Sequence, residues 1–423
     1  MSEANNPHPM KAFSTHNYTP LLNLYRTDYA ALRNNEQVFI PFGDDNLLPS
    51  QLTQLAREVP VHRAILNSKA TYFLGKGLTT EDKLLQNLIL QPSNTYQSLN
   101  TVFNYVFQDF LTLGNAYMEI ITNSKRSFSY IYHIDSSKVR LSAKQNDILI
   151  HPSWELYSAA DPNLLSLPLF PDFRKGDDGL LHSAYHFKDY EPEFFYYGLP
   201  SYFAGVRSII ISGLTSVWNQ KRLENGFTAP GLLIIPGVND ETDAATLEAE
   251  FEKFKGTDGA RSGEILIQYL ADLNPGQSSQ QAQFIEFRKN EEANWTELHK
   301  QSELSIITIH NWFRSLTPYS GEMTGFDSNR IINEHEIALN TIITPFQSFF
   351  LRHFDQILEY FSLPTGQLCF INEPPIQRIN PLKFIWEARR DAGLPFNAND
   401  PTQKLLVMQL RNTFNQSNSG SGL

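Results

Sequence analysis

The sequence is short of several things that catalytic, secreted or nucleic-acid-gripping proteins rely on. Among 423 residues there is one cysteine, Cys369. No intrachain disulfide framework can form, and a reducing compartment suits the chain. With no evident base beside it, Cys369 is expected to be a buried structural thiol. Basic charge is scarce: 34 Lys and Arg against 45 Asp and Glu leave a formal net charge of −11. Contacts to a phosphate backbone need Lys and Arg, so tight nucleic-acid binding is disfavoured. A surface that a polyanion slides past is compatible with this charge. No run of about 18 uninterrupted apolar residues occurs, so no membrane span is expected. The polar stretch Met1–Pro20 does not read as a signal peptide.

Motifs that carry chemistry are missing too. Gly256–Gly263 lacks the Lys–Ser/Thr ending of a phosphate loop and reads as a turn. In Gly259–Gly263 the serine stands one place late for a nucleophile elbow. His335–Glu336 begins like a zinc-binding helix, but Leu339 occupies the position of the second histidine. His182 and His186 flank a strand-like run, which weighs against joint metal ligation. The sequence therefore calls for no cofactor, no metal and no reaction of its own, and a hydrolase would need a site of unfamiliar form.

What the chain does have is aromatics, 30 Phe and 18 Tyr, which suit large buried contacts or subunit interfaces. At 41% apolar and 19% charged residues it is a folding chain, and its length favours several subdomains. Residues 1–20 and Asn415–Leu423 are polar and read as a flexible arm and tail. Helix is expected over 46–74, interrupted at Val59–Pro60 and ended at Gly75–Gly77, and again over 97–113. Strands are expected at Ala116–Thr122, Tyr130–His133, Val139–Leu141, Ile148–His151 and Ala184–Lys188, with Pro152–Gly179 as a long surface loop.

Gly198–Leu199–Pro200 is expected to open a helix of roughly 27 residues, about 40 Å long. One face of it is lined by Ser201, Gly205, Ser208, Ser212 and Ser216, small enough for another helix to come close. Then come strand Gly231–Ile235, helix Asp240–Lys255 and strand Glu264–Tyr269; the pattern leaves open whether the strands pair within one chain. Asn294 and Glu297 form a capping-box pattern for a second long helix reaching Leu316. Thr317–Asp327 is a loop with Gly321 and Gly325. A third long helix runs from Ser328 to Phe361, and Pro345 should kink it, with the bend falling within 340–346. Lys383–Ala392 and Thr402–Phe414 are expected to be short helices.

Taken in order, these elements resemble the portal proteins of tailed bacteriophages. The resemblance rests on Gly114–Asn115–Ala116–Tyr117, Gly198–Leu199–Pro200, Glu224–Gly231, and Asn333–Glu334 with Pro345, and covers most of residues 46–361. Each motif is weak alone; their order and spacing are more specific. The Pro-rich insert and the short C-terminal region depart from the family pattern. The resemblance implies a mixed α/β, multi-subdomain, ring-forming portal fold with an arm (1–45), wing (46–198), stem helix (199–227) and clip (228–293). A second stem helix (294–317), tunnel loop (318–328), second wing part with the kinked helix (329–380), and a helical crown with tail (381–423) complete it.

The implied function is mechanical. Rings of the family, twelvefold by analogy, pass double-stranded DNA into and out of the head at one capsid vertex of the virion. They dock the terminase packaging motor, the major capsid protein and a head–tail adaptor, and would assemble in the host cytoplasm without a membrane. Tyr319, Glu322, Met323 and Thr324 would line the constriction, although an ordinary helix–helix connection fits that loop as well. Lys300 and Arg314 either face DNA or belong to a solvated or interface surface. A non-portal oligomeric scaffold is the rival reading.

Overall fold

A computed structural model describes residues 38–43, 45–90, 97–125, 128–158, 161–192, 194–224, 231–236, 265–270, 283–286, 291–317, 328–376 and 385–391, with a few single residues up to 403. The chain divides into two compact units, residues 1–321 with 338–372, and residues 322–337 with 373–423.

The first unit opens with helices α1 (Leu48–Glu58) and α2 (Pro60–Leu74). Val59 is extended between them and Pro60 takes the first helical position, where its missing N–H costs nothing. After β1 (Leu78–Thr79) and α3 (Lys83–Leu90) comes α4 (Leu99–Leu113). Ser98 caps α4 by accepting from the Thr101 amide, and Gly114 closes it in the left-handed region at φ 68°. The apolar stripe expected on this helix is its buried face: Val102, Phe103, Val106 and Phe107 are fully enclosed.

Strands β2 (Asn115–Thr122), β3 (Phe128–Ile134), β4 (Val139–Leu141), β5 (Asp147–Ile150), β6 (Leu165–Pro168), β7 (Arg174–Lys175) and β8 (Leu181–Lys188) come next. They form an antiparallel sheet in the order β3-β2-β8-β7 and a second one in the order β4-β5-β6. The insert 152–179 is thus not a plain loop. Leu165–Pro168 finds the free edge of β5, and Arg174–Lys175 the free edge of β8, so both runs satisfy backbone groups that a loop would leave to water. Trp154, inside the insert, is buried and donates its indole N–H to the Lys138 carbonyl.

After the two sheets come α5 (Val206–Glu224), then strands β9 (Gly231–Pro236), β10 (Ile265–Leu270) and β11 (Gln283–Glu286), then α6 (Glu291–Ile309). β10 pairs parallel and β11 antiparallel with β9, so the strands do pair within the chain. The stretch Asp240–Lys255, expected as a helix, lies outside the described residues, as do both termini and most of Thr402–Phe414.

α7 spans Ser328–Ala338; a π-helical turn (Leu339–Ile343) and α8 (Thr344–Tyr360) follow it in the chain. The α-helical ladder is interrupted where Pro345 predicts. Pro345 has no N–H to offer the carbonyl of Thr341, and the turn before it widens. α8 supplies Phe346, Phe350 and Phe354 to an aromatic core. Phe350 lies 4.8 Å from Phe107, 5.0 Å from Phe110 and 5.0 Å from Phe187 of β8, centroid to centroid. β12 (Cys369–Phe370) closes the first unit by pairing antiparallel with β1. Phe370 points inward and Cys369 outward, so the thiol is exposed and not buried as expected; alternate strand residues face opposite sides. The second unit contains α9 (Ile385–Asp391), where the Arg390 guanidinium lies 5.5 Å from the Trp386 ring centre.

Candidate functional site

Two glycines far apart in sequence meet at the start of β2. A Cβ on Gly114 would fall 2.3 Å from the carbonyl carbon of Leu199, and one on Gly198 would fall 2.3 Å from the Gly114 oxygen. Only glycine allows this approach, and Gly114 also has positive φ. Asn115 locks the junction. Its amide nitrogen donates to the carbonyls of Leu113 and Gly198, and its oxygen accepts from the Gly198 amide and from His186 Nε2. Burial, with Lys188 adding to it, holds His186 neutral by pushing its pKa down to about 3; a neutral ring with its proton on Nε2 is the form that Asn115 requires. Tyr202 donates to the Thr112 carbonyl on the same side. Two of the four stretches that carry the family resemblance, 114–117 and 198–200, therefore form one packed joint.

Beyond that joint Pro200 sits in a turn, Phe203–Gly205 makes one 3₁₀ turn, and the regular helix begins only at Val206. α5 has 19 residues, about 28 Å, shorter than the expected rod. The residues that continue its apolar pattern backwards, Leu199 and Tyr202, are buried by the joint and not by a helix face. The small-residue stripe does receive a helix. A Cβ on Gly205 would lie 2.6 Å from Ile309 Cγ2 of α6, and Ser212 and Thr215 are buried. Ser201 and Ser216 remain exposed.

α6 begins at Glu291, so Asn294 lies inside it and does not cap it. Acidic residues at a helix start suit its dipole, which favours starting one turn earlier. It ends at Ile309, because Asn311 takes positive φ and Arg314–Leu316 form a separate 3₁₀ turn. This exit, the root of segment 318–327, is held by α2 through buried polar groups. Lys69 Nζ donates to the His310 carbonyl at 2.5 Å, and Ser68 Oγ to the Leu316 carbonyl at 2.6 Å. Trp312 Nε1 donates to Ser68 Oγ at 3.1 Å, and one imidazole N–H is shared between His62 Nδ1 and His310 Nε2 at 2.8 Å.

Burial dominates the electrostatics of this cluster. It pushes His62 down to about 3, helped by the positive charges of Arg63 and Lys69. It also holds His310 well below the usual range, with His62 and Lys69 adding to it, and brings Lys69 down to about 8. Near neutral pH the cluster is two neutral rings and one ammonium. Such a set can position backbone; it offers neither a nucleophile paired with a base nor a metal cage.

Of the residues expected at the site, Tyr319, Glu322, Met323 and Thr324 lie outside the described residues. Lys300 is exposed on α6. Arg314 is half-buried and sits in the 3₁₀ turn, not on the helix as expected, because the helix stops before reaching it. The structure does not bring Lys300 and Arg314 onto one element. Sequence reasoning missed His62, Ser68, Lys69, His310 and Trp312. A signal was present: Lys69 falls on the stripe Val61, Ile65, Lys69, Phe73, where every neighbour is buried, and a lysine at a core position needs a partner. His182 and His186 each contact side chains of β2, Glu119 and Asn115 respectively, and do not point at a common centre.

No family model matches the chain. An uncharacterized protein of Rickettsia bellii is 27% identical over 180 residues, 42% of this chain and 43% of that protein, so the match spans less than half of the relative. Among solved structures, the neck of an empty gene transfer agent particle contains a similar chain, 15% identical, with a TM-score of 0.48 over 82% of this chain and 94% of that one. The virion of a native gene transfer agent particle contains another, 14% identical, with a TM-score of 0.47 over the same shares of both chains. An HK97-family phage portal protein from Corynebacterium diphtheriae is 11% identical, with a TM-score of 0.43 over 72% of this chain and 88% of its own. Solved structures to which this chain is similar thus include a phage portal protein and neck and virion chains of gene transfer agent particles.

Proposed function

We propose that the chain is a portal-type subunit: one copy in a ring at a single vertex of a viral or virus-like head, through which double-stranded DNA is packaged and released. The observation that carries this reading is the path of the chain around one packed joint. The 114–117 and 198–200 stretches close on each other, α5 leaves them, and a three-stranded unit comes next. α6 returns beside α5 and is pinned to α2 just before residue 318. A fixed root suits a segment that must project from a ring wall while its interior shifts. Tyr319, Glu322, Met323 and Thr324 would line the constriction, with Gly321 and Gly325 supplying backbone freedom. The head protein, the packaging motor and a tail adaptor are the partners this role requires.

Leu298 and Leu304 are exposed on α6, at 37% and 52%. They fit ring contacts and equally fit a non-portal oligomeric scaffold. Negative-stain images separate the two: a ring with a central hole supports the portal, and a solid particle the scaffold. Deleting Gly321–Gly325 tests the channel role. Rings should still form, because the anchoring contacts lie at 310–316, while DNA packaged or retained in particles should fall. Normal packaging and retention would remove the gating role, and failure of assembly would make the segment a structural contact.

A further inference from the structure

In the hairpin joining β7 to β8, one imidazole links the turn to β2 by its side chain, and no part of the proposed function uses it. His182, on β8, places Nδ1 2.8 Å from Glu119 Oε1 of β2, and Nε2 3.1 Å from both carboxylate oxygens of Asp178 in the turn. A carboxylate only accepts, so both contacts are hydrogen bonds only when both ring nitrogens carry protons. The neutral ring turns one lone pair towards a carboxylate. We propose that His182 is a proton-operated clasp: as an imidazolium it bridges Glu119 and Asp178, and on losing its proton it releases the turn that carries β7.

The surroundings support this. The ring lies against the turn, since a Cβ on Gly176 would come 2.9 Å from Nε2. The turn is otherwise held by few bonds: Gly176 N to Leu180 O, Gly179 N to Gly176 O, and Leu180 N to Asp178 Oδ1. Strand β7 contributes only Arg174 and Lys175, paired with His182 and Leu181. The charged or titratable groups facing the imidazole are Glu119 from β2, Asp178 from the turn and Arg174 from β7; Arg174 is itself engaged by Asp147 at 2.8 Å. Tyr132 of β3 lies across from Glu119.

Burial works against a charge on His182. The hydrogen bonds to Glu119 and Asp178, and the charges of both, outweigh it and hold the pKa above 6.5. Asp178 is held below 3.8 by the Leu180 amide first and then by His182. His182 therefore stabilises the hairpin fully below 6.5 and loses that contribution as pH rises through its raised folded value. Asp178 contributes above 3.8 and loses its part as pH falls through its lowered value. The clasp is closed between those limits and opens on the alkaline side.

Hydrogen–deuterium exchange of the full chain, on peptides spanning 174–182, tests it at about pH 6 and about pH 9 after correction for intrinsic exchange. Protection should fall several-fold across this interval in the wild type. In His182→Gln it should be low and equal at both pH values, and in Asp178→Asn the transition should move to lower pH. Equal wild-type protection at both pH values, or the same loss in His182→Gln, overturns the proposal. If His182→Gln fails to fold, Asp178→Asn decides at the exposed turn, and an unshifted transition overturns it.

Discussion

At the residue scale the anchoring of segment 310–316 rests on two adjacent side chains of α2. Ser68 is both donor and acceptor: it gives its hydroxyl proton to the Leu316 carbonyl and takes the indole N–H of Trp312. Removing the hydroxyl leaves two buried polar atoms unmatched, which costs more than the bonds themselves contribute. Ser68→Ala should therefore lower stability by about 1–3 kcal/mol, read as a lower urea midpoint at unchanged slope. Lys69 gives a pH signature. Its folded pKa is about 8 against 10.5 for the free side chain, through burial. Between these values the unfolded chain binds the extra proton, so this group makes stability rise with pH. Lys69→Met should flatten that rise, on the order of a few kcal/mol, in unfolding curves measured at several pH values. An equal slope in both proteins would mean that Lys69 is not desolvated.

The elements show where local pattern and packing agree. α4 was legible because its stripe and its terminal glycine point the same way, and Phe103 and Gly114 each do what their position suggests; the Ser98 cap emerged only with the structure. The break near Pro345 was legible for the same reason, one residue lacking one donor. The start of α5 was not. Leu199 and Tyr202 keep helical spacing with Val206 and Ile209, yet the joint at Gly114 and Gly198 claims them. Gly205, in the 3₁₀ turn that leads into α5, packs closely against Ile309 at the end of α6. Its neighbour Ile309 is β-branched and cannot swing away, so Gly205→Val should destabilise by about 1–3 kcal/mol through overpacking. Thermal unfolding measures it, and an unchanged midpoint would show that the helices separate freely there.

On the scale of the whole molecule, charge and exposed apolar surface make separate demands. A formal net charge of −11 leaves little to hold a polyanion, so duplex DNA should bind weakly and without sequence preference. Gel-shift titration checks this, and tight, salt-resistant binding to one sequence would favour a regulator over a conduit. Leu298 and Leu304 on α6, with Tyr190 and Phe195 at 79% and 71% exposure, leave apolar surface that association would cover. Analytical ultracentrifugation should find rings of about twelve 48.4 kDa chains and no stable monomer at micromolar concentration.

The sequence by itself determined what depends on near neighbours along the chain: the stripe and terminal glycine of α4, the Val59–Pro60 break, the interruption before Pro345, and most strands of the first sheet. These arise from periodicity, glycine and proline, whose effects act within a few residues. Only the tertiary structure decided which distant groups meet. Gln283–Glu286 is a strand because β9 offers it a free edge, and Leu165–Pro168 is one because β5 does. Cys369 is exposed because the pairing of β12 with β1 turns its neighbour Phe370 inward. Lys69 and Ser68 hold the exit of α6 because two segments some 240 residues apart come within hydrogen-bonding distance. Nothing local to either segment encodes that meeting; it exists only once burial has brought them together and made an unsatisfied polar atom costly.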